Sequence, residues 1–149
     1  MASTSSISAI STVANGTLKI IEFTYAIDAS GTVYFEPEFD NTEGDTIDFS
    51  GYASMQLINT GAANSTLTVQ VYVSNNLVDA DFLIPWDPDG VVHPAMCTAL
   101  AFSTTPKKMF ENIRIPLARR VRWAFTEASG AAAITGKAQL ALSIAKVKG

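Results

Sequence analysis

Three groups of residues in this chain carry enough chemistry to decide its class. The first lies in LARRVRWAF, residues 117–125, where Arg119, Arg120 and Arg122 fall within four positions although the whole chain has only ten basic residues. Guanidinium groups at that density suit phosphate binding, a catalytic anion clamp, or bidentate pairing and planar stacking at an interface. The second is His93 with Cys97 in VVHPAMC, the one imidazole and the one thiol of the chain, and the residue types of a base-activated nucleophile. The third is carboxylate. EPEFDNTEGD at residues 36–45 and WDPDG at 86–90 offer oxygen ligands for calcium, an acid pair for glycoside hydrolysis or, through Trp86, Asp87 and Asp89, a sugar contact.

The elements that must position these residues read as strands. In TLTVQVYVS, residues 66–74, Leu67, Val69, Val71 and Val73 face one way and Thr68, Gln70 and Tyr72 the other, the period of two of a half-buried strand. Residues 47–58 repeat it with Ile47, Phe49, Ala53, Met55 and Leu57 inward. Residues 137–146 repeat it with Ala138, Leu140, Leu142 and Ile144 inward. Further strands are predicted over 18–27, 32–36, 96–102, 109–115 and 119–126, the first with a bulge near Ile20-Ile21. Turn residues that tolerate unusual backbone angles stand between them at Asn15-Gly16, Ser30-Gly31, Asn59-Thr60-Gly61, Asn75-Asn76, Asp89-Gly90 and Ser129-Gly130. About eight strands at this spacing predict an all-β, single-domain antiparallel β-sandwich, jelly-roll-like, over 16–149. Residues 77–94, with three of the six prolines, form the crossover or an elaborated loop. Residues 1–15, rich in Ser, Thr and Ala, are expected to be an arm that builds no core of its own and clasps a neighbouring subunit.

Placed on strands, the three groups can be weighed. Val121, Trp123 and Phe125 share the core face, so Arg120 and Arg122 project together from the other, with Arg119 where the strand begins. A flat row is too regular for a pocket and suits an interface. A nucleic-acid surface using Arg119, Arg120, Arg122, Lys107 and Lys108 is opposed by a pI near 4.8 and by the lack of any recognition motif or glycine-rich phosphate loop. For His93 and Cys97 the plainer reading is a loop histidine and a small strand thiol. The acidic stretch lacks the spacing of an EF-hand, and a solvated loop accounts for it and for WDPDG more simply.

Composition points the same way. Charged residues make up only 16% of the 149, too few to cover an ordinary monomer, so part of the surface is expected to lie against other chains. The charge is also segregated: residues 1–99 hold one base, Lys19, against twelve acids, while 100–149 hold nine bases against Glu111 and Glu127. Leftover charge of opposite sign can set the register of head-to-tail contacts between copies. One cysteine excludes an internal disulfide and, with one histidine, a Cys/His zinc site; no cofactor is expected. No apolar run approaches the ~20 residues of a membrane span, and the first residues do not read as a secretory signal.

The order of these pieces resembles the small β-sandwich virion proteins of tailed bacteriophages, the class that includes head-decoration or cement proteins. The resemblance rests on the Ser/Thr-rich arm, on STLTVQVYVSNN, on the WDPDG loop and on ARRVRWAFTEASGAAAITGKAQLALSI, a closing hairpin whose first strand is basic. It spans roughly residues 16–147. It implies a non-enzymatic jelly-roll-like subunit present in many copies, often as trimers, on a capsid or tail surface. The implied partners are its own copies and other virion proteins, the capsid shell above all; the residue readings above speak against a membrane or nucleic-acid partner. The implied location is the virion, assembled in the host cytoplasm. No functional residue carries over one by one. A tail, neck or fibre component is the first alternative, a carbohydrate-binding module using Trp86, Asp87 and Asp89 the second, and a hydrolase the third.

Overall fold

The computed structural model describes residues 3–13, 18–37, 45–47, 52–61, 65–101, 107–116 and 118–146, the side chains of 12–13, 45–47 and 144–146 apart. Among the described residues ten strands run in chain order: β1 (Thr4–Val13), β2 (Leu18–Ile27), β3 (Thr32–Phe35), β4 (Asp45–Ile47), β5 (Tyr52–Asn59), β6 (Thr66–Ser74), β7 (Cys97–Ala101), β8 (Lys107–Arg114), β9 (Arg120–Glu127) and β10 (Ile134–Lys146). They form two antiparallel sheets. One has the order β1-β2-β10-β5-β8, with β4 also pairing β10; the other has the order β3-β9-β6-β7.

Alternation decides which side chains meet between the sheets. From the first sheet come Ile21, Phe23, Tyr25, Ile27, Ala53, Met55, Leu57, Ala138, Leu140 and Leu142; from the second come Val33, Phe35, Leu67, Val69, Val121, Trp123 and Phe125. The inward sets predicted for β5, β9 and β10 are buried wherever their side chains are described. In β6, Leu67 and Val69 are buried, while Val71 and Val73 are half-buried against the core. Rings occupy its centre: Phe23 stacks on Phe35 at 4.7 Å, and Phe125 lies 5.3 Å from Phe23 and 5.4 Å from Tyr25. Gly136, opposite Tyr25 in the ladder, makes room for that ring, since a Cβ there would stand 2.9 Å from the Tyr25 hydroxyl and 2.5 Å from the Ile58 carbonyl oxygen.

Two expectations are corrected. Most of the arm predicted over 1–15 is a strand: β1 pairs β2 from Thr4↔Ala26 to Val13↔Leu18. Serine and threonine satisfy a strand ladder through the backbone whatever their side chains, so a segment too polar to build a core can still extend a sheet. The bulge expected in β2 near Ile20-Ile21 lies instead on its neighbour, at Ser8 of β1, while β2 alternates regularly and brings Lys19 onto its inward face. The reason lies in Ile7 and Ile10. Three apart, they would fall on opposite faces of a regular strand; the extra residue Ser8 puts them opposite Phe23 and Ile21, on the core side.

The sheet edges are treated unequally. β3 is only four residues long. β7 and β8 each carry an irregularity with a non-glycine residue in the left-handed region, Ala99 at φ 48° and Asn112 at φ 57°. β8 is also charged, through Lys107, Lys108, Glu111 and Arg114. These are devices that keep edges from pairing with strangers.

Candidate interaction surface

Arg120 and Arg122 lie on the outer face of the second sheet, on β9, as alternation predicts, with Arg119 just ahead of the strand: Val121, Trp123 and Phe125 are buried behind them. What faces them is the chain's own crossover between β6 and β7. It turns back at once. Asn76 takes the Val78 amide on Oδ1 at 2.8 Å and donates from Nδ2 to Asp81 at 2.8 Å, and a single 3-10 turn follows at Asp79–Asp81. Leu83 then exchanges both backbone hydrogen bonds with Val73, at 2.8 and 2.9 Å. This docking drops Phe82, 8% exposed, onto the guanidinium groups.

Arg120 donates from Nε and Nη2 to the two oxygens of Glu36, each at 2.7 Å, and from Nη1 to Asp79 at 2.9 Å. Those hydrogen bonds, to Glu36 first and Asp79 second, push its already high pKa further up. Arg122 is sandwiched between two rings, 4.1 Å from the Tyr34 centroid and 3.9 Å from that of Phe82. Arg120 thus makes its ion pairs, and Arg122 its planar stacking, within the chain. Arg119 is exposed, its backbone N–H donating to Asn75 Oδ1 at 3.0 Å. Arg120, through Asp79 and Phe82, and Arg122, through Phe82, fasten the crossover. Glu36 and Phe82 are the partners that sequence reading missed, because nothing local in either residue's neighbourhood points to β9.

Beyond Leu83 the crossover forms a small hairpin. Asp87 O accepts from the Gly90 N–H at 2.9 Å across Pro88-Asp89, and the Asp87 N–H donates to Val91 O at 2.7 Å with Gly90 at φ 87°. That is a type I turn followed by a left-handed glycine, the conformation that Pro-Asp-Gly favours. Trp86 and Val92 pair across it, and the His93 N–H donates to Pro85 O at 2.9 Å. Trp86 itself is 66% exposed. Asp89 Oδ1 caps the Val91 amide at 3.2 Å, and Asp87 meets His93 Nε2 at 2.8 Å. Both of these carboxylates thus brace the hairpin that carries Trp86.

The fastened crossover displays apolar side chains to solvent: Leu77, Val78, Leu83, Trp86, Val91 and Val92 are all exposed. Leu83 also borders an open groove of about 530 Å³ with Val73, Ala80, Asp81 and Ala118. The segment thus sends one aromatic inward as an anchor and six large apolar groups outward, on a backbone held by hydrogen bonds.

The other candidates resolve differently. His93 pairs with Asp87, whereas the Cys97 Sγ donates to Leu67 O at 3.6 Å. Burial pushes the Cys97 thiol up to about 11, so it stays protonated at neutral pH. Among the described residues no three His, Cys, Asp or Glu side chains converge, and no helix is long and apolar enough to cross a membrane. Of the acidic stretch, residues 38–44 lie outside the described residues.

One carboxylate that the sequence left without a role proves central. Glu127, 1% exposed, accepts from the backbone amides of Ser30 (3.2 Å), Thr66 (3.3 Å), Ser129 (2.9 Å) and Gly130 (2.9 Å), and from the Ser129 hydroxyl. Burial pushes this carboxyl up; the Ser129 hydroxyl and the Gly130, Ser30 and Ser129 amides outweigh it and hold the group at about 2 against an ordinary 4.5. Its local signal was EASG, a carboxylate just before a Ser-Gly turn. Its reach to Ser30 and Thr66 had none.

Compared with known proteins, the chain matches no family model and no curated sequence. Its own geometry therefore carries the functional reading.

Proposed function

We propose that this chain is a non-enzymatic structural subunit of a phage virion, a jelly-roll decoration or cement protein that stabilises the head by lying across its subunits. The observation that carries this reading is the crossover surface of Leu77, Val78, Leu83, Trp86, Val91 and Val92, fastened to β9 by Arg120 and Arg122. The strand order supports the jelly-roll part of it. With β1 and β4 set aside, β2-β10-β5-β8 faces β3-β9-β6-β7, the interleaving produced when two Greek keys are wound together, an architecture used by capsid and lectin domains. A subunit that binds only the assembled shell stabilises it by linkage.

The test is occupancy. Virions carrying the chain are stripped of it and reincubated with wild type or with the double variant Leu83→Ser, Trp86→Ser. Both positions are exposed, and circular dichroism checks that the variant is folded. Wild type rebinding in fixed stoichiometry on the head, with the variant absent, supports the reading. Equal occupancy overturns it, and wild type rebinding to the tail alone moves the chain to the tail, neck or fibre class.

The exposure of Trp86 on a braced hairpin also favours a second reading, a carbohydrate-binding module with Trp86 as the stacking face and Asp87 and Asp89 beside it. Saturable binding on a glycan array that Trp86→Ala abolishes would select it.

A further inference from the structure

We infer that β1 is a self-pairing edge, through which two copies of this chain join antiparallel to make one continuous sheet. The inference goes beyond the virion reading and does not depend on it.

The other three outer strands are guarded, β3 by its length, β7 by its irregularity, β8 by irregularity and charge. β1 is ten residues long, TSSISAISTV, without a charge, a proline or a glycine. Its one irregularity, at Ser8, is turned to use: Ser8 Oγ donates to Glu22 Oε1 at 2.9 Å and accepts from the Thr24 hydroxyl at 2.8 Å, which pins the bulge to β2. With β2 on one side, β1 pairs with no other described strand, although it comes within 8 Å of β3. A long uncharged edge of that kind is a template for another strand.

The side chains say which strand fits. The bulge holds Ile7 and Ile10 on the core side of the sheet, yet they stay 42% and 61% exposed. A twofold axis perpendicular to the sheet near Ser8-Ala9 keeps the core side of both copies on the same side. It sets Ile7 of one copy opposite Ile10 of the other, twice per dimer, as neighbouring apolar pairs on one face. Because the strand carries no charge, an identical copy brings no like-charge repulsion with it.

Sedimentation equilibrium of the full chain tests this. Wild type is expected to dimerise, and a monomer persisting at about 100 μM overturns the inference. Ile10→Lys is expected to weaken the dimer at least about ten-fold, because the lysine meets an isoleucine twice per dimer. The register is tested by mixing. Ile10→Lys with Ile7→Glu recovers association, since Lys and Glu then face each other. Ile10→Lys with Ile10→Glu does not, each charge facing an isoleucine. Dimers indifferent to these substitutions, or recovery in the second mixture and not the first, overturn it. Circular dichroism confirms that each variant is folded; should Ile10→Lys unfold, Ile10→Ser is read in the same way.

Discussion

Replacing Glu127 with glutamine isolates the carboxylate that ties three chain segments together. In the folded protein the group sits at about 2, against 4.5 ordinarily, a difference of about 2.5 pH units or roughly 3 kcal/mol at 1.36 kcal/mol per unit. The folded value lies below the unfolded one. The stabilisation is therefore complete above about pH 5 and is lost as the pH falls through 4.5 towards 2. A glutamine side chain cannot ionise, and its amide sets an NH2 group among the donors of Ser30, Thr66, Ser129 and Gly130, which adds a penalty independent of pH. Urea unfolding of wild type and Glu127→Gln at steps from pH 7 to pH 2 measures the difference curve, in which the other acids cancel. That difference should shrink by about 3 kcal/mol between pH 6 and pH 2. A difference that stays constant over the range would refute the assignment of a depressed carboxyl to this site, however large the constant is.

Gly136→Ala should destabilise by about 2 kcal/mol or more, since its Cβ would stand 2.5 Å from a backbone oxygen that cannot move aside; thermal melting measures it. Tyr25→Phe should raise stability by about 1 kcal/mol in the same assay, because the buried Tyr25 hydroxyl has no hydrogen-bond partner among the described residues; a loss of stability would reveal one. Ala99→Gly should raise it by about 0.5 kcal/mol, glycine relieving a φ of 48° at some cost in unfolded-chain entropy, with unchanged unfolding midpoints counting against strain there.

How much of this was legible beforehand follows from the range over which each signal acts. Alternation is local, because side chains of a strand take opposite faces whatever lies beyond them. So Leu67 and Val69, or Val121, Trp123 and Phe125, could be assigned to a core from their own spacing, and two packed antiparallel sheets from the number of such segments. The turns at Ser30-Gly31, Asp89-Gly90 and Ser129-Gly130 were legible for the same reason: the left-handed angles at Ser30, Gly90 and Gly130 are properties of one or two residues.

The site was less legible, since its meaning lies in partners brought together from far along the chain. Sequence put Arg120 and Arg122 on one outer face, but whether that face met another subunit or this chain's own crossover depended on where Phe82 and Asp79 came to rest. Glu36, which offers both its oxygens to Arg120, lies 84 residues away from it, and Glu127 caps an amide 97 residues away. Likewise Ile7 and Ile10 share a face only because the ladder with β2 leaves room for Ser8 as an extra residue. The sequence alone determined which side chains of β5, β9 and β10 face inward. The tertiary structure decided what the outside faces, because pairing between distant segments is set by the whole packing and leaves no periodic mark in either segment.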